Sequence, residues 1–193
     1  MKKRMILVTS PPASGKTYVS QQLAKELPNI VYLDKDALIP LSIQIFKVAG
    51  QEFNRSSVFF EENIRNYEYI AILDIAFEAL KYSDLVLINA PFTREIRDNE
   101  YIKNLRAKLS EFDAELVVIW IETDIEVTRQ RMIARNSPRD TWKVEHWDEY
   151  VASRDYSTPN IPAINDCLIK FYNSNEDEYN ESMERITKFL LEK

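Results

Sequence analysis

The stretch that most constrains the fold joins a short apolar run, residues 4–9, to a helix-like segment through the sequence SPPASGKT. A run of about six mainly apolar residues bounded by turn residues is typical of a fully buried strand. Residues 16–27 then place apolar side chains at helical spacing, until Pro28 ends the pattern. A buried strand that leads into a helix through a tight loop predicts a parallel sheet with helices packed on its faces.

The remainder of the chain repeats this alternation of short apolar runs and helix-like segments. Further buried strands are predicted at residues 30–33, 85–88, 116–121 and 167–172. Helices are predicted at residues 36–49 with a kink at Pro40, from Ser56 or Ser57 to about 82, at 95–110, from a capping box at Thr123 and Glu126 to about 135, at 145–155 and at 177–192. We therefore predict an α/β fold of three layers, α/β/α, around a five-stranded and mainly parallel sheet.

The domain organisation follows from length and from the absence of linkers in the sequence. A chain of 193 residues suffices for one domain with a sizeable core, and no internal repeat or low-complexity tract divides it. We therefore predict a single domain over residues 1–193. A basic and polar segment at about 135–145 interrupts the core pattern, and we expect it to form a short lid.

Composition limits the partners and the cell compartment. The net charge of -6 does not indicate the basic face of a duplex binder, so a nucleic acid is expected only as an end that serves as substrate. The apolar run after MKKR is too short for a signal peptide, and no stretch approaches the about 20 apolar residues of a membrane span. The lone Cys167 predicts a cytoplasmic protein, and the lone His146 excludes multi-histidine metal sites.

The segment from Ser10 to Thr17 has the sequence of a phosphate-binding loop. The chain has only two glycines, and one of them, Gly15, directly precedes Lys16 and Thr17, which suggests that the backbone needs it there. Backbone N–H groups of such a loop point at an anion, the lysine reaches the β- and γ-phosphates of a nucleotide, and the hydroxyl ligates Mg²⁺. The candidate nucleotide-binding residues are Ala13, Ser14, Gly15, Lys16, Thr17 and Tyr18.

A chance Gly-Lys-Thr in a surface turn is the alternative, and Ser10 stands where such a loop usually has a glycine. The predicted strand before the loop and the predicted helix after it favour phosphate binding, because this is the context in which the motif works.

Two carboxylates, Asp34 and Asp36, follow the second predicted strand. In an open parallel sheet they would lie at the carboxyl edge, beside the phosphate-binding loop. A carboxylate there can take the proton of an attacking hydroxyl, hold Mg²⁺ through water, or cap the next helix. Asn89 stands after the third strand, where many proteins with this loop carry an aspartate, so one carboxylate ligand for magnesium is missing.

A basic run follows the fourth strand, and it comprises Arg129, Arg131, Arg135, Arg139 and Lys143. Arg131 and Arg135 share a helix face, and Arg139 lies in the polar break that follows. Phosphoryl transfer requires positive charge over the phosphate chain, which a mobile loop can supply. The alternative is a solvated helix face balanced by nearby acids. Arg94 and Arg97 could likewise bind a second anion or be surface charge.

Three motifs together, SPPASGKT, LDKDAL and RNSPRDTWK, resemble the small P-loop kinases of the AAA-type ATP-binding subset. This group includes the kinase domain of polynucleotide 5′-kinase, chloramphenicol phosphotransferase and zeta-toxin-like kinases. The resemblance covers residues 4 to 172, and it implies the P-loop NTPase fold. The P-loop is generic to a superfamily, whereas the acid after the second strand combined with the arginines of the lid is more specific.

The resemblance also implies roles for individual residues. Asp36 would be the general base, and Asp34 is the secondary candidate for that role. Asp34 is also the candidate for binding magnesium through water. Arg139, supported by Arg135, would contact the phosphates of ATP. Apart from the resemblance, Arg131 is a further candidate for a nucleotide contact. Lys16 would contact the phosphates and Thr17 would ligate the metal.

The leading hypothesis from the sequence is an ATP- and Mg²⁺-dependent kinase. It would transfer the γ-phosphoryl group to a hydroxyl of a small molecule, of a nucleotide or of a nucleic-acid end. The alternative is a regulatory nucleotide-binding ATPase module without a small-molecule acceptor.

Overall fold

A computed structural model describes residues 2–137 and 140–192, and within them five strands form one parallel sheet. The strand order is β2-β3-β1-β4-β5, and every neighbouring pair runs parallel. The strands are β1 (Lys3–Thr9), β2 (Ile30–Asp34), β3 (Leu85–Asn89), β4 (Ala114–Glu122) and β5 (Leu168–Tyr172). The sheet confirms the predicted α/β class and is parallel throughout.

The strands are short and apolar because the sheet is covered on both faces. β3 is buried along its whole length, and successive residues of β1 point to opposite faces. Met5 and Leu7 join one hydrophobic cluster with the helices on one face, whereas Ile6 and Val8 join a second cluster on the other face. Burial on both faces accounts for the continuous apolar runs that predicted the strands.

Helices connect the strands and form the two outer layers. In chain order the helices of the described residues are α1 (Lys16–Glu26), α2 (Ile39–Val48), α3 (Val58–Phe60), α4 (Asn66–Ala79), α5 (Asn99–Ser110), α6 (Ile125–Arg135), α7 (Thr141–Glu145), α8 (Trp147–Ala152) and α9 (Glu176–Leu191). A π-helical turn over Glu61–Arg65 joins α3 to α4. Ser57 caps α3, since its side chain accepts a hydrogen bond from the Phe60 N–H. None of the described helices combines the length and the apolar character that a bilayer crossing needs.

Two local predictions were wrong, and each has a physical reason. Pro40 does not kink a helix, because it lies in the first turn of α2, where no intrahelical N–H donor is required. Thr123 does not cap α6. The cap is Asp124, whose carboxylate accepts hydrogen bonds from the N–H groups of Glu126 and Val127. The hydroxyl of Thr123 is used elsewhere, in the site described below.

The topology brings the candidate site residues to one edge of the sheet. The chain places β2 and β3 on one side of β1, and β4 and β5 on the other. The crevice at such a reversal, outside the carboxyl ends of the strands, is where open α/β sheets bind ligands. The loop after β1 opens there, and Asp34 and Asn89 are paired in register at the ends of β2 and β3.

Candidate active site

The loop from Ser10 to Thr17 is held in shape by its own side chains and by a left-handed backbone. The hydroxyls of Ser10 and Ser14 both donate to the carbonyl of Pro11, at 2.9 Å and 3.1 Å. Ala13 and Gly15 have positive φ angles of 63° and 89°, whereas Ser10 does not have a positive φ. The serine at the start of the loop therefore needs no glycine-like freedom, and its burial fixes the turn instead.

Distant parts of the chain fix the middle of the loop through one carbonyl oxygen. The oxygen of Ser14 accepts hydrogen bonds from Asn173 Nδ2 at 2.7 Å, Thr123 Oγ1 at 3.1 Å and Arg131 Nη1 at 3.5 Å. Arg131 also donates from Nη2 to the carbonyl of Asn173 at 2.8 Å. The ends of β4 and β5 and helix α6 therefore hold the loop in position before any nucleotide binds.

Gly15 lies between this anchor and α1, and its lack of a side chain is required in two ways. A Cβ atom at Gly15 would lie 2.4 Å from Asn173 Nδ2, and the φ of 89° disfavours any other residue. Gly50 provides a matched control, because it also has a positive φ, of 65°, but nothing lies within 4 Å of a Cβ built there. The strain of the left-handed backbone is therefore common to both positions, and the collision with Asn173 is specific to Gly15.

We expect Gly15→Ala to lower the free energy of unfolding by more than Gly50→Ala does. The left-handed conformation costs about 1–2 kcal/mol in both variants, and the displaced Asn173 adds to it only in the first. Urea unfolding of the two variants measures the difference. ATP affinity should fall in Gly15→Ala alone, and equal unfolding free energies in both variants would contradict the role assigned to Asn173.

Asn89 connects the loop lysine to the acids at the end of β2. Its Oδ1 accepts a hydrogen bond from Lys16 Nζ at 2.6 Å, and its Nδ2 donates to Asp34 Oδ2 at 2.8 Å. Nδ2 also lies 3.2 Å from the Tyr32 hydroxyl and 3.4 Å from Thr17 Oγ1. An aspartate could not donate to Asp34, so the amide that replaces the usual acid suits this buried position.

Burial and charge set the protonation of the groups around Asn89. Burial lowers the pKa of Lys16, and the carboxylates of Asp34 and Asp36 oppose this effect. Burial and the nearby Asp34 raise the pKa of Tyr32 to about 12, so its hydroxyl keeps its proton at neutral pH. Tyr32 donates this proton to Asp34 Oδ2 at 3.1 Å. The side chain of Asp34 therefore accepts hydrogen bonds from two neutral donors, the Tyr32 hydroxyl and the Asn89 amide.

The two acids after β2 have different surroundings. Asp34 caps the 3₁₀ turn Lys35–Leu38, because its Oδ1 accepts a hydrogen bond from the Asp36 N–H at 2.9 Å. The side chain of Asp36 is 63% exposed, and its described contact is an ion pair from Oδ1 to Arg55 Nη1 at 3.4 Å. The capping role weighed in the sequence therefore belongs to Asp34, and Asp36 is the acid that an incoming molecule can reach.

A buried ionic cluster that the sequence analysis missed lies beside Asp36. We call it the Glu68 cluster, and it consists of Lys35, Ser42, Arg55 and Glu68. The Glu68 carboxylate accepts hydrogen bonds from Lys35 Nζ, from Ser42 Oγ at 2.6 Å and from Arg55 Nη2 at 2.7 Å. One signal could have found it, since Glu68 shares the spacing of the buried Ile72 and Ala76 on α4.

The lid arginines are only partly in the positions that the sequence suggested. Arg139 lies outside the described residues. Arg135 does not extend freely, because its Nε and Nη2 both contact Asp140 Oδ2, at 2.8 Å and 2.5 Å. Lys143 contacts the other oxygen of Asp140 at 3.0 Å. Burial opposes ionisation of Asp140, but the hydrogen bonds from Lys143 and Arg135 outweigh it and lower the pKa of the carboxyl.

The helices on either side of the lid form a cluster beside the phosphate-binding loop. Met132, Trp147 and Tyr150 form a small hydrophobic cluster, and Ala13 of the loop packs against it. Val144 of the lid packs against the same cluster, so the lid and the loop share one hydrophobic contact surface.

An open cavity lies beside the loop, between α1, α6 and the start of α9. Its volume is about 590 Å³, and Gly15, Tyr18, Arg131, Asn173 and Tyr179 are among the residues that line it. The rings of Tyr18 and Tyr179 lie 5.7 Å apart, and Tyr18 is exposed. Two of the predicted nucleotide contacts, Tyr18 and Arg131, thus share one cavity with the loop glycine. The cavity is large enough to receive the base of a nucleotide.

The strand order, the loop after β1 and the acids after β2 define the fold of the small P-loop kinases, as the sequence motifs suggested. The chain belongs to the AAA domain family, whose model matches residues 5–156. No curated protein matches the chain by sequence.

Solved structures of kinases share the fold over nearly the whole chain. A gluconokinase from Sinorhizobium meliloti 1021 is 14% identical, with a TM-score of 0.53, and the match covers 98% of this chain and 95% of that one. A shikimate kinase from Bacteroides thetaiotaomicron is 12% identical with a TM-score of 0.55, covering 97% and 98%. An APS kinase from Mycobacterium tuberculosis, in complex with AMPPNP and APS, is 15% identical with a TM-score of 0.54, covering 98% of each chain. At these identities the likeness shows the fold.

Proposed function

We propose that the protein is an ATP- and Mg²⁺-dependent kinase that transfers the γ-phosphoryl group to a hydroxyl of a small molecule, of a nucleotide or of a nucleic-acid end. The observation that carries the proposal is the pairing of an anchored phosphate-binding loop with a reachable acid. Lys16 and Asp36 are close enough for the Asp36 charge to affect the pKa of the lysine, and Asp36 is mostly exposed. An acid in this position can orient an incoming nucleophile for attack on the γ-phosphate.

In this proposal the residues of the loop bind the phosphates and those at the end of β2 receive the acceptor. The N–H groups at the start of α1 lack intrahelical partners and face the phosphate chain. Lys16 neutralises charge on the β- and γ-phosphates, and the base occupies the cavity lined by Tyr18 and Arg131. Asp36 accepts the proton of the acceptor hydroxyl as its oxygen attacks phosphorus.

The residues around Asn89 fit a magnesium ion that is bound mainly through phosphates. Among the described residues no group of three His, Cys, Asp or Glu side chains could hold a metal alone. Mg²⁺ usually takes one or two protein ligands beside substrate phosphates and water, and the Thr17 hydroxyl with Asp34 through water supplies such a set. When bound, the ion neutralises charge that develops on the phosphates.

The lid would complete the site around the phosphates. Arg135 and Arg139 are proposed to reach the phosphates when the lid closes, which requires Arg135 to leave Asp140. A shared hydrophobic cluster supports this coupling, because Val144 of the lid and Ala13 of the loop both pack against it.

The test of the proposal is ATP consumption with a broad panel of hydroxyl compounds in the presence of Mg²⁺. We expect at least one compound to raise ADP formation well above the rate with water alone, and to yield a phosphate ester detectable by mass spectrometry. Omission of Mg²⁺ should abolish the reaction. If every compound gives only the rate of hydrolysis in water, the kinase proposal fails and the regulatory ATPase module is favoured.

A further inference from the structure

We propose that Arg55 binds an anionic group of the phosphoryl acceptor, so that the acceptor is a hydroxyl compound that carries a carboxylate or a phosphate. This inference rests on the proposed kinase function and adds to it the chemical class of the acceptor. It follows from the anchoring of Arg55, from its unused donors and from the charge balance of the Glu68 cluster.

Arg55 is fixed in place from the buried side. Its Nη2 contacts Glu68 Oε2 at 2.7 Å, and Glu68 itself is held by Lys35 and by the Ser42 hydroxyl. The guanidinium also lies over the ring of Phe60, 5.0 Å from its centroid. An arginine that is already immobilised loses little conformational entropy when it binds a ligand, so its hydrogen bonds contribute more of their strength to affinity.

The opposite side of the same guanidinium has donors to spare. An arginine side chain has five N–H donors, and the described residues engage Arg55 through one contact to Glu68 and one longer contact of 3.4 Å to Asp36. The side chain is about one quarter exposed, at 26%. The remaining donors can meet a carboxylate or phosphate, whose paired oxygens match the guanidinium fork.

The charge balance of the Glu68 cluster favours an anion beside Arg55 when Asp36 reacts. Lys35 and Arg55 carry two positive charges, and Glu68 carries one negative charge. Asp36 supplies the remaining negative charge in the unliganded protein, through its ion pair with Arg55. Burial lowers the pKa of Lys35, but its hydrogen bond to Glu68 opposes the shift.

Phosphoryl transfer removes the charge of Asp36 for the lifetime of the reaction. The O–H bond of the acceptor breaks and its proton passes to Asp36, while an O–P bond forms and the bond between the γ-phosphorus and ADP breaks. The half-buried Arg55 is then left without its partner. An anionic group on the acceptor restores the balance and also holds the hydroxyl next to Asp36.

Three other arginines, Arg65, Arg94 and Arg97, are already paired with acids that take no part in the proposed reaction. Arg65 contacts Glu95 at 2.7 Å, and Arg94 contacts Glu61. Arg97 contacts Asp155 at 2.9 Å and the carbonyl of Ser157 at 2.6 Å. Arg94 and Arg97, which the sequence suggested as candidates for a second anion, are therefore less suited to this role than Arg55.

The experiment compares acceptors that share a carbon skeleton and differ in charge. The first set is glycerol, glycerate and glycerol 3-phosphate, and the second is sorbitol, gluconate and sorbitol 6-phosphate. Adenosine and AMP form the third set. The acceptor found in the hydroxyl panel is tested together with its neutral or charged counterpart. Wild-type protein, Arg55→Gln and Arg55→Lys are assayed for kcat and for the KM of acceptor and ATP. Arg55→Gln leaves the buried Lys35–Glu68 pair neutral overall, so we expect this variant to fold. Arg55→Lys keeps the positive charge but lacks the paired N–H donors of the guanidinium.

We expect the wild-type protein to phosphorylate only the charged members of each set. In Arg55→Gln, kcat/KM for the acceptor should fall by about 10- to 100-fold, which is the effect expected when a hydrogen bond to a charged group is lost. The KM for ATP should not change. Arg106→Gln is the matched control, because Arg106 forms a comparable ion pair with Asp166 at 2.6 Å, beyond the opposite ends of the strands.

Each of the other outcomes overturns the inference in a recognisable way. Equal turnover of neutral and charged members, or equal losses in Arg55→Gln and Arg106→Gln, would remove the role of Arg55 and leave the kinase function standing. An absence of turnover with every compound, while the protein still binds ATP, would contradict the kinase function and the inference with it.

Discussion

Replacing Lys16 with alanine should nearly abolish ATP binding and turnover. The lysine amine is a partly buried positive charge of the loop, and its hydrogen bond to Asn89 Oδ1 at 2.6 Å holds it where the phosphates would lie. Loss of one preorganised charge contact of this kind costs about 10²–10³ in rate. Isothermal titration with ATP and steady-state assays of ADP formation measure the effect.

Lys25→Ala is the matched control for this variant. Lys25 lies in the last turn of the same helix α1 and is exposed, so its removal changes net charge equally without touching the loop. We expect Lys25→Ala to bind ATP as wild type does. Unchanged ATP turnover in Lys16→Ala would remove the phosphate-binding role of the loop altogether.

Asp36→Asn should leave ATP affinity intact and reduce phosphoryl transfer by about 10²–10⁴, the usual contribution of a general base. The substitution keeps the shape of the side chain and its oxygen opposite Arg55, but removes the proton acceptor. Asp36 does not cap a helix and is mostly exposed, so the free energy of unfolding should change little. Parallel measurements of ATP affinity, kcat and urea unfolding test the three statements.

Asp34→Asn separates a structural from a chemical effect at this position. Asp34 accepts hydrogen bonds from the Asp36 N–H, from Tyr32 and from Asn89, so its replacement should lower the free energy of unfolding as well as activity. If Asp36→Asn behaves in the same way, losing ATP binding and stability together, then Asp36 has a structural role and the proposed base is wrong.

The sequence predicted the sheet and the loop well because the signals for both are local. Apolar runs of four to six residues become strands when both faces of a sheet are covered, and the bounds of β1 and β3 differ from the predictions by only one residue. The Gly15-Lys16-Thr17 sequence likewise identified the loop before α1. The errors at Pro40 and Thr123 concern helix starts, where neighbouring residues compete to cap the same turn.

The interactions around the site could not be predicted in the same way. Asn173 reaches Ser14 across 159 positions of sequence, and Glu68 meets Lys35 across 33. The alternative of nearby acids balancing the basic run holds for Arg129, which lies 4.0 Å from Glu126, whereas Arg135 pairs with Asp140. Helical spacing can indicate that Glu68 is buried, but it does not identify its partners, because a hydrogen bond between side chains depends on where the fold brings them.

The sequence by itself determined the fold class, the loop and the two acids that make phosphoryl transfer the best hypothesis. The tertiary structure alone decided how these parts differ: Asp34 caps a turn and Asp36 stays reachable, while Asn89 joins Lys16 to Asp34. It also placed Arg55 beside Asp36, anchored on a buried glutamate. The physical reason is that secondary structure follows from the local pattern of apolar side chains, whereas the electrostatics of a site follow from which charges folding buries together.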